Sequence, residues 1–290
     1  MSEVNELLAA GRHAAVAERV SVKTGKYVYA IAPLAGGAGV YGNIGMNGGQ
    51  VYAISAGGTC AIVSDFAGAK VRPERQHIAA HHQVLRRLMT DCTVLPMVFG
   101  IVAENREAVA RMLSQNQAAF LEQLARVEGK VEMGLRVVWA VPNIFEYLAD
   151  ADADLRALRD KLFGGGRQPS QGDKIVLGRL FERILNEQRT FHTRTVMAVL
   201  GPRCAEIKDT GARNEQEVMN LACLTGREAQ HSTSSCRPTR LSSSQAEPVE
   251  GRDAFEEGVF EAAKRFDNNY SLDFTGPWPP HNFVDIKLET

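Results

Sequence analysis

His77, His81 and His82 fall in one stretch that reads as helix, where residues four apart share a face. His77 and His81 could therefore present two imidazoles to a metal ion. No third ligand lies nearby, and His82 falls on the apolar stripe Ile78, His82, Leu85 and Met89, so a partly buried structural histidine is the favoured reading. Glycine offers a second chemistry, the phosphate cradle. Gly36-Gly37-Ala38-Gly39 and Gly164-Gly165-Gly166 lack both the Gly-Lys-Ser/Thr ending of a P-loop and the strand-turn-helix setting of a dinucleotide fingerprint. They read as flexible linkage. Nucleophilic catalysis finds no Gly-x-Ser-x-Gly elbow, and Cys92 beside Asp91 has no electropositive neighbour in sequence. The pairs Asp152/Asp154 and Glu256/Glu257 sit in charged helical stretches that read as solvated faces. No catalytic, cofactor-binding or metal-ligating residue is expected.

The absence of a catalytic constellation points toward binding or assembly. The chain has 290 residues, 44% hydrophobic and 23% charged, as ordinary soluble globular proteins have. A net charge of −1 gives no electrostatic footprint for nucleic acid or an anionic membrane surface. No run of roughly 18 apolar residues predicts a membrane span, and the acidic start Met-Ser-Glu-Val-Asn-Glu is unlike a secretory signal, which points to the cytoplasm. The five cysteines, Cys60, Cys92, Cys204, Cys223 and Cys236, are odd in number and scattered, so neither a disulfide framework nor a zinc site is indicated. Four of them read as buried thiols.

The elements that must position any site fall into an extension and two domains. Residues 1–25 read as an N-terminal extension with a loose helical pattern. From 26 to 128 a mixed α+β domain is expected. Lys26 to Pro33 is a strand, Leu34 to Gly49 with its seven glycines a long loop, and Gln50 to Ser55 with Thr59 to Asp65 a hairpin around Ala56-Gly57-Gly58. Pro73 opens a helix that ends near Asp91, Thr93 to Ala103 is a strand interrupted at Pro96, and Asn105 caps a helix with the stripe Val109, Met112, Leu113, Phe120, Leu124 and Val127. Gly129 ends it.

From 129 to 290 the order is strand (Val131 to Val141), helix (Ile144 to Leu200, in two pieces), strand (Cys204 to Lys208), strand (Glu217 to Leu224), helix and strand (Tyr270 to Thr275). The second helical piece carries the stripe Leu177, Leu180, Phe181, Ile184, Leu185 and Phe191, and Asp253 caps the last helix in a capping box with Glu256. This βαββαβ order is the ferredoxin-like arrangement, an antiparallel sheet with helices on one face. Residues 230–251 are Ser-rich and poor in large apolar side chains, so a mobile insertion is expected there.

The chain is organised around its C-terminal stretch Phe274 to Val284, which holds Pro277, Pro279, Pro280 and one of two tryptophans. Prolines there exclude helix and the interior of a sheet, so an extended return over the body of the protein is expected. Trp278 and Phe283 read as structural anchors locking the last strand or the two domains together, with direct partner contact as the alternative role. Truncating a buried Trp278 to alanine would then cost roughly 3–5 kcal/mol.

Four stretches in order carry a family resemblance: Lys26 to Ile31, Thr93 to Gly100, Gly129 to Trp139 and Phe274 to Val284. Over about Tyr27 to Val284 the chain resembles the GvpF/GvpL family of gas vesicle proteins. The resemblance implies an N-terminal α+β domain followed by a ferredoxin-like domain. It further implies a non-enzymatic minor component or assembly factor of the gas vesicle, cytoplasmic and vesicle-associated. Its implied partners are the hydrophobic main shell protein, whose aggregation it would limit during nucleation, and other gas vesicle proteins. It offers no catalytic residue. Anchor or partner-contact positions within the signature stretches are Trp278, Phe283, Pro277 and Phe99. The alternative is a small-molecule or nucleotide-binding enzyme or regulator that uses the Gly-rich loops.

Overall fold

The computed structural model describes residues 24–37, 39–68, 70–166, 168–227 and 251–286. The expected N-terminal extension up to residue 23, Cys236 and nearly all of the expected insertion lie outside the described residues. The chain is α+β with two antiparallel sheets.

Elements run in chain order as β1 (Thr24–Pro33), α1 (Leu34–Gly37), β2 (Val40–Gly42), β3 (Val51–Ala56), β4 (Thr59–Ala67), α2 (Arg75–Asp91), β5 (Leu95–Pro96), β6 (Val102–Ala103), α3 (Arg106–Gln115) and α4 (Gln117–Val127). They continue as β7 (Lys130–Trp139), α5 (Ile144–Ala151), α6 (Ala153–Phe163), α7 (Gln171–Leu200), β8 (Glu206–Asp209), β9 (Glu217–Gly226), α8 (Gly251–Ala263) and β10 (Tyr270–Trp278).

The first sheet has the order β2-β3-β4-β1-β5, with β6 also on β1. The β3–β4 hairpin turns on Gly57 and Gly58, both at positive φ, which a two-residue hairpin loop needs and glycine adopts without strain. Strand β1 is buried on both faces. Tyr27 and Tyr29 pack with Val84, Leu85 and Leu88 of α2, whereas Val28 and Ile31 pack with Val109, Leu113, Phe120 and Leu124 of α3 and α4. An apolar, β-branched and aromatic strand without alternation is what such two-sided burial requires.

Several expectations here need correction. The glycine-rich stretch after β1 is not simply a loop: it forms α1, the edge strand β2 and a 3-10 turn whose Met46 is buried and donates its N–H to Tyr29 Oη at 2.7 Å. The α2 stripe is rotated by about one residue. His81, Val84, Leu85 and Leu88 face inward, while Ile78 and His82 are exposed. The helix after Asn105 is two helices that part at Asn116, whose side chain donates to the Met112 carbonyl at 2.9 Å.

The second sheet has the order β10-β7-β9-β8, all antiparallel. On β7 the alternate residues Met133, Leu135, Val137 and Trp139 face a core closed by α5, α6, α7 and α8. Helix α7 runs 30 residues from a capping box between Ser170 and Asp173. The region from Ile144 to Leu200 is three helices, because Asp152 ends α5 and at the same time caps α6. Phe191, expected on the inner stripe of α7, is 64% exposed. Asp253 lies inside the first turn of α8 and does not cap it, and Glu256 pairs instead with Arg252 at 2.8 Å.

The opposite face of the second sheet meets the first half. Ala222 and Leu224 of β9 share one buried cluster with Leu124 and Val127 of α4 and with Phe283.

Candidate functional site: the C-terminal return and the pocket beside it

Strand β10 reaches Trp278 and so includes Pro277, which had been expected to lie outside the sheet. Two features accommodate the proline. β10 is the edge strand of its sheet, and its register on β7 shifts between Thr275 and Trp278. Gly276 takes φ +130, and a Cβ there would come within 2.7 Å of Met133 Sδ and 3.0 Å of the Glu132 carbonyl oxygen. Only glycine fits this bend.

Past the bend, Pro279 and Pro280 are buried and lead into a short 3-10 turn at His281–Phe283. Elements from both halves hold this return. The Glu132 carboxylate of β7 accepts from Asn282 N at 2.8 Å and Asn282 Nδ2 at 2.6 Å. Lys208 of β8 donates to the Asn282 carbonyl at 2.8 Å and stands 5.3 Å over the Phe283 ring. Arg126 of α4 donates to the Phe283 carbonyl at 3.2 Å while pairing with Glu206 at 2.6 Å. His82 of α2 faces His281 with ring centroids 6.4 Å apart. Burial raises the Glu132 carboxyl above its ordinary range, against the lowering effect of its Asn282 hydrogen bonds.

Phe283 is fully buried. Trp278 is only half-buried, its Nε1 donating to Thr275 Oγ1 at 3.3 Å, and Pro277 is exposed. Phe99 stands apart from all three, half-buried with its ring 5.7 Å from His81 and 6.1 Å from Tyr27. The structure thus brings Trp278, Pro277 and Phe283 together on one segment and leaves Phe99 in the core beneath α2.

Trp278 and Pro277 form one wall of a pocket of about 400 Å³ that also includes Gly276. Met89 and Val131 add apolar surface, from α2 and β7. Three arginines complete it from separate elements: Arg86 of α2, Arg227 just after β9 and Arg252 at the start of α8. The α8 N-terminus abuts the end of β9 so closely that a Cβ on Gly251 would strike the Gly226 backbone. Sequence reasoning missed the three arginines, which lie far apart in the chain.

The other candidate groups sit elsewhere. His81 is 2% exposed, its Nδ1 2.9 Å from Tyr27 Oη, and burial, helped by the charges of His82 and His281, lowers it to about 4. Among the described residues no group of three or more His, Cys, Asp or Glu side chains could hold a metal. Cys60, Cys92 and Cys223 are buried and Cys204 is half-buried, and burial pushes the Cys60 thiol up to about 11. Gly164 to Gly166 close off α6, and Gly39 accepts from Ala53 in the first sheet, so neither glycine run lines the pocket.

The sequence model described as "Gas vesicle synthesis protein GvpL/GvpF" matches residues 25–235 and 248–285. The chain belongs to the GvpL/GvpF family. That match spans both sheets and the whole C-terminal return, and leaves unmatched residues 236–247, within the stretch expected to be an insertion. Gas vesicle protein F of a Nostoc species is 23% identical over 84% of this chain and 91% of its own length. Gas vesicle protein L1 of Halobacterium salinarum is 24% identical over 92% of each chain. A crystal structure of the gas vesicle protein GvpF from an Anabaena species superposes with a TM-score of 0.71 at 22% identity, covering 91% of this chain and 99% of that one. A second, of GvpF from Microcystis aeruginosa, gives 0.69 at 18% identity, over 90% and 99%. These GvpF structures share the fold. No helix among the described residues is long and apolar enough to cross a membrane.

Proposed function

We propose that this GvpL/GvpF protein is a non-catalytic assembly factor or minor component of the gas vesicle, working in the cytoplasm in association with the vesicle. Its proposed partner is the main shell protein, which it holds while that subunit's apolar surface is uncovered, limiting aggregation during nucleation. Contacts with other gas vesicle proteins fit the same role. One observation carries the reading: family membership that runs through both sheets to the end of the return. The glycine runs that supported an enzymatic alternative are used in chain reversals and sheet edges, away from the arginine-lined pocket.

The same proposal divides the chain into a domain at 26–128 and a ferredoxin-like domain at 129–290. The strand order β10-β7-β9-β8 supports it, since fourth-first-third-second is the order of a βαββαβ sheet. The return at Trp278 to Phe283 then works as the seal between the two.

The test is direct. Purified protein is mixed with the shell subunit at equal molar ratio, and association is read by co-sedimentation and aggregation by light scattering. Stoichiometric association with slower aggregation is expected; neither effect in a wild-type mixture would overturn the proposal.

A further inference from the structure

The geometry points to the pocket beside Trp278 as a binding site for a carboxylate carried on a short apolar peptide segment of a partner protein. This deepens the assembly reading and rests on it only for the identity of that partner.

Arginines from α2, from just after β9 and from the start of α8 line a cavity of about 400 Å³. Arg252 shares its charge with Glu256. Arg86 and Arg227 have no ion pair among the described residues. Like charges gathered around a cavity repel one another, and an entering anion relieves that repulsion. Guanidinium pairs through two parallel N–H donors with an oxyanion that offers two oxygens, a carboxylate or a phosphate. The N-terminus of α8 adds its partial positive charge at the same place.

The rest of the lining selects what carries the anion. Met89, Val131, Pro277 and the half-buried indole of Trp278 give an apolar wall. A free phosphate would meet the arginines and leave that wall uncovered. An acidic side chain with an apolar neighbour would meet both. A volume near the lower end for ligand sites suits two or three side chains of a peptide.

Only two tryptophans are present, so Trp139→Phe makes Trp278 the sole fluorescent indole. Trp139 Nε1 has no hydrogen-bond partner among the described residues, so phenylalanine there forfeits no such bond. The probes are an acetylated hexapeptide of alternating glutamate and leucine, its glutamine counterpart and inorganic phosphate. Calorimetry on the wild-type chain repeats each titration, should Trp139→Phe fold poorly. The glutamate peptide is expected to change Trp278 emission saturably at submillimolar concentration, and the Arg86→Gln/Arg227→Gln double variant to bind it at least tenfold more weakly. Equal binding of the glutamine peptide, an unaffected double variant, or phosphate binding as tight as the glutamate peptide would each overturn the inference. Co-sedimentation of the wild type with the shell subunit judges the assembly reading separately. Peptide binding without shell binding sinks the assembly reading alone; shell binding without peptide binding sinks the pocket alone.

Discussion

Tyr27 Oη lies 2.9 Å from His81 Nδ1, a strand-to-helix hydrogen bond buried between β1 and α2. The burial that encloses this pair shapes how the protein responds to acid. Burial lowers His81 from 6.5 to about 4, so the folded state declines a proton that the unfolded chain accepts. Above pH 6.5 both states are neutral there and the group contributes nothing. As pH falls from 6.5 to 4 the unfolded state gains, by on the order of 3 kcal/mol at the end of that window. Burial lowers His192 as well, in its contact with Tyr270 Oη at 3.0 Å, and adds to the loss. Glu132, raised by burial, works in the opposite direction as pH falls through its raised value toward 4.5. Urea midpoints measured from pH 7.5 to 4.5 should fall, and His81→Gln should flatten the fall. An unchanged slope in that variant would refute the assignment.

The return should depend on Phe283 more than on Trp278. Phe283 is fully buried in the cluster between the halves, so Phe283→Ala should cost about 3–5 kcal/mol. Trp278 is half-buried, which brings the cost of Trp278→Ala down to about 1–2 kcal/mol, below the 3–5 kcal/mol that full burial would give. Guanidinium denaturation of both variants checks the order.

Gly276→Ala should destabilise by roughly 1–3 kcal/mol, because a side chain at φ +130 is strained and its Cβ would press on Met133 Sδ and the Glu132 carbonyl oxygen. The loss should appear as a lower thermal midpoint, together with a shift in Trp278 emission.

Glu132→Ala should free the return locally before it unfolds the protein. Its carboxylate makes two hydrogen bonds to Asn282, and bonds to a charged acceptor contribute about 1.5–3 kcal/mol each. Hydrogen exchange should show the Asn282 amide losing protection while the amides of β9 keep theirs.

Much of the fold was legible because its patterns are local. Met133, Leu135, Val137 and Trp139 alternate in sequence as they do on β7, and Asn105 announces the cap of α3, where it accepts from Ala108 N. The rotation of α2 was hidden because His81 is buried against Tyr27, Tyr29 and Phe99, two of them far away in sequence, while His82, with the same side chain, is left outside. The break at Asn116 has neither glycine nor proline to mark it. The pocket was illegible for a stronger reason. Its arginines come from α2, the residue after β9 and the start of α8, and only the tertiary fold places them side by side.

The return also sets an order of events during synthesis. Arg126, Glu132 and Lys208 all leave the ribosome before Asn282 and Phe283, the residues they grip. Until those residues emerge, Leu124, Val127, Ala222 and Leu224 lack the ring that shares their cluster. A nascent or prematurely stopped chain therefore displays an apolar seam that the finished protein hides, and quality-control machinery that senses such surface has a means of telling the two apart.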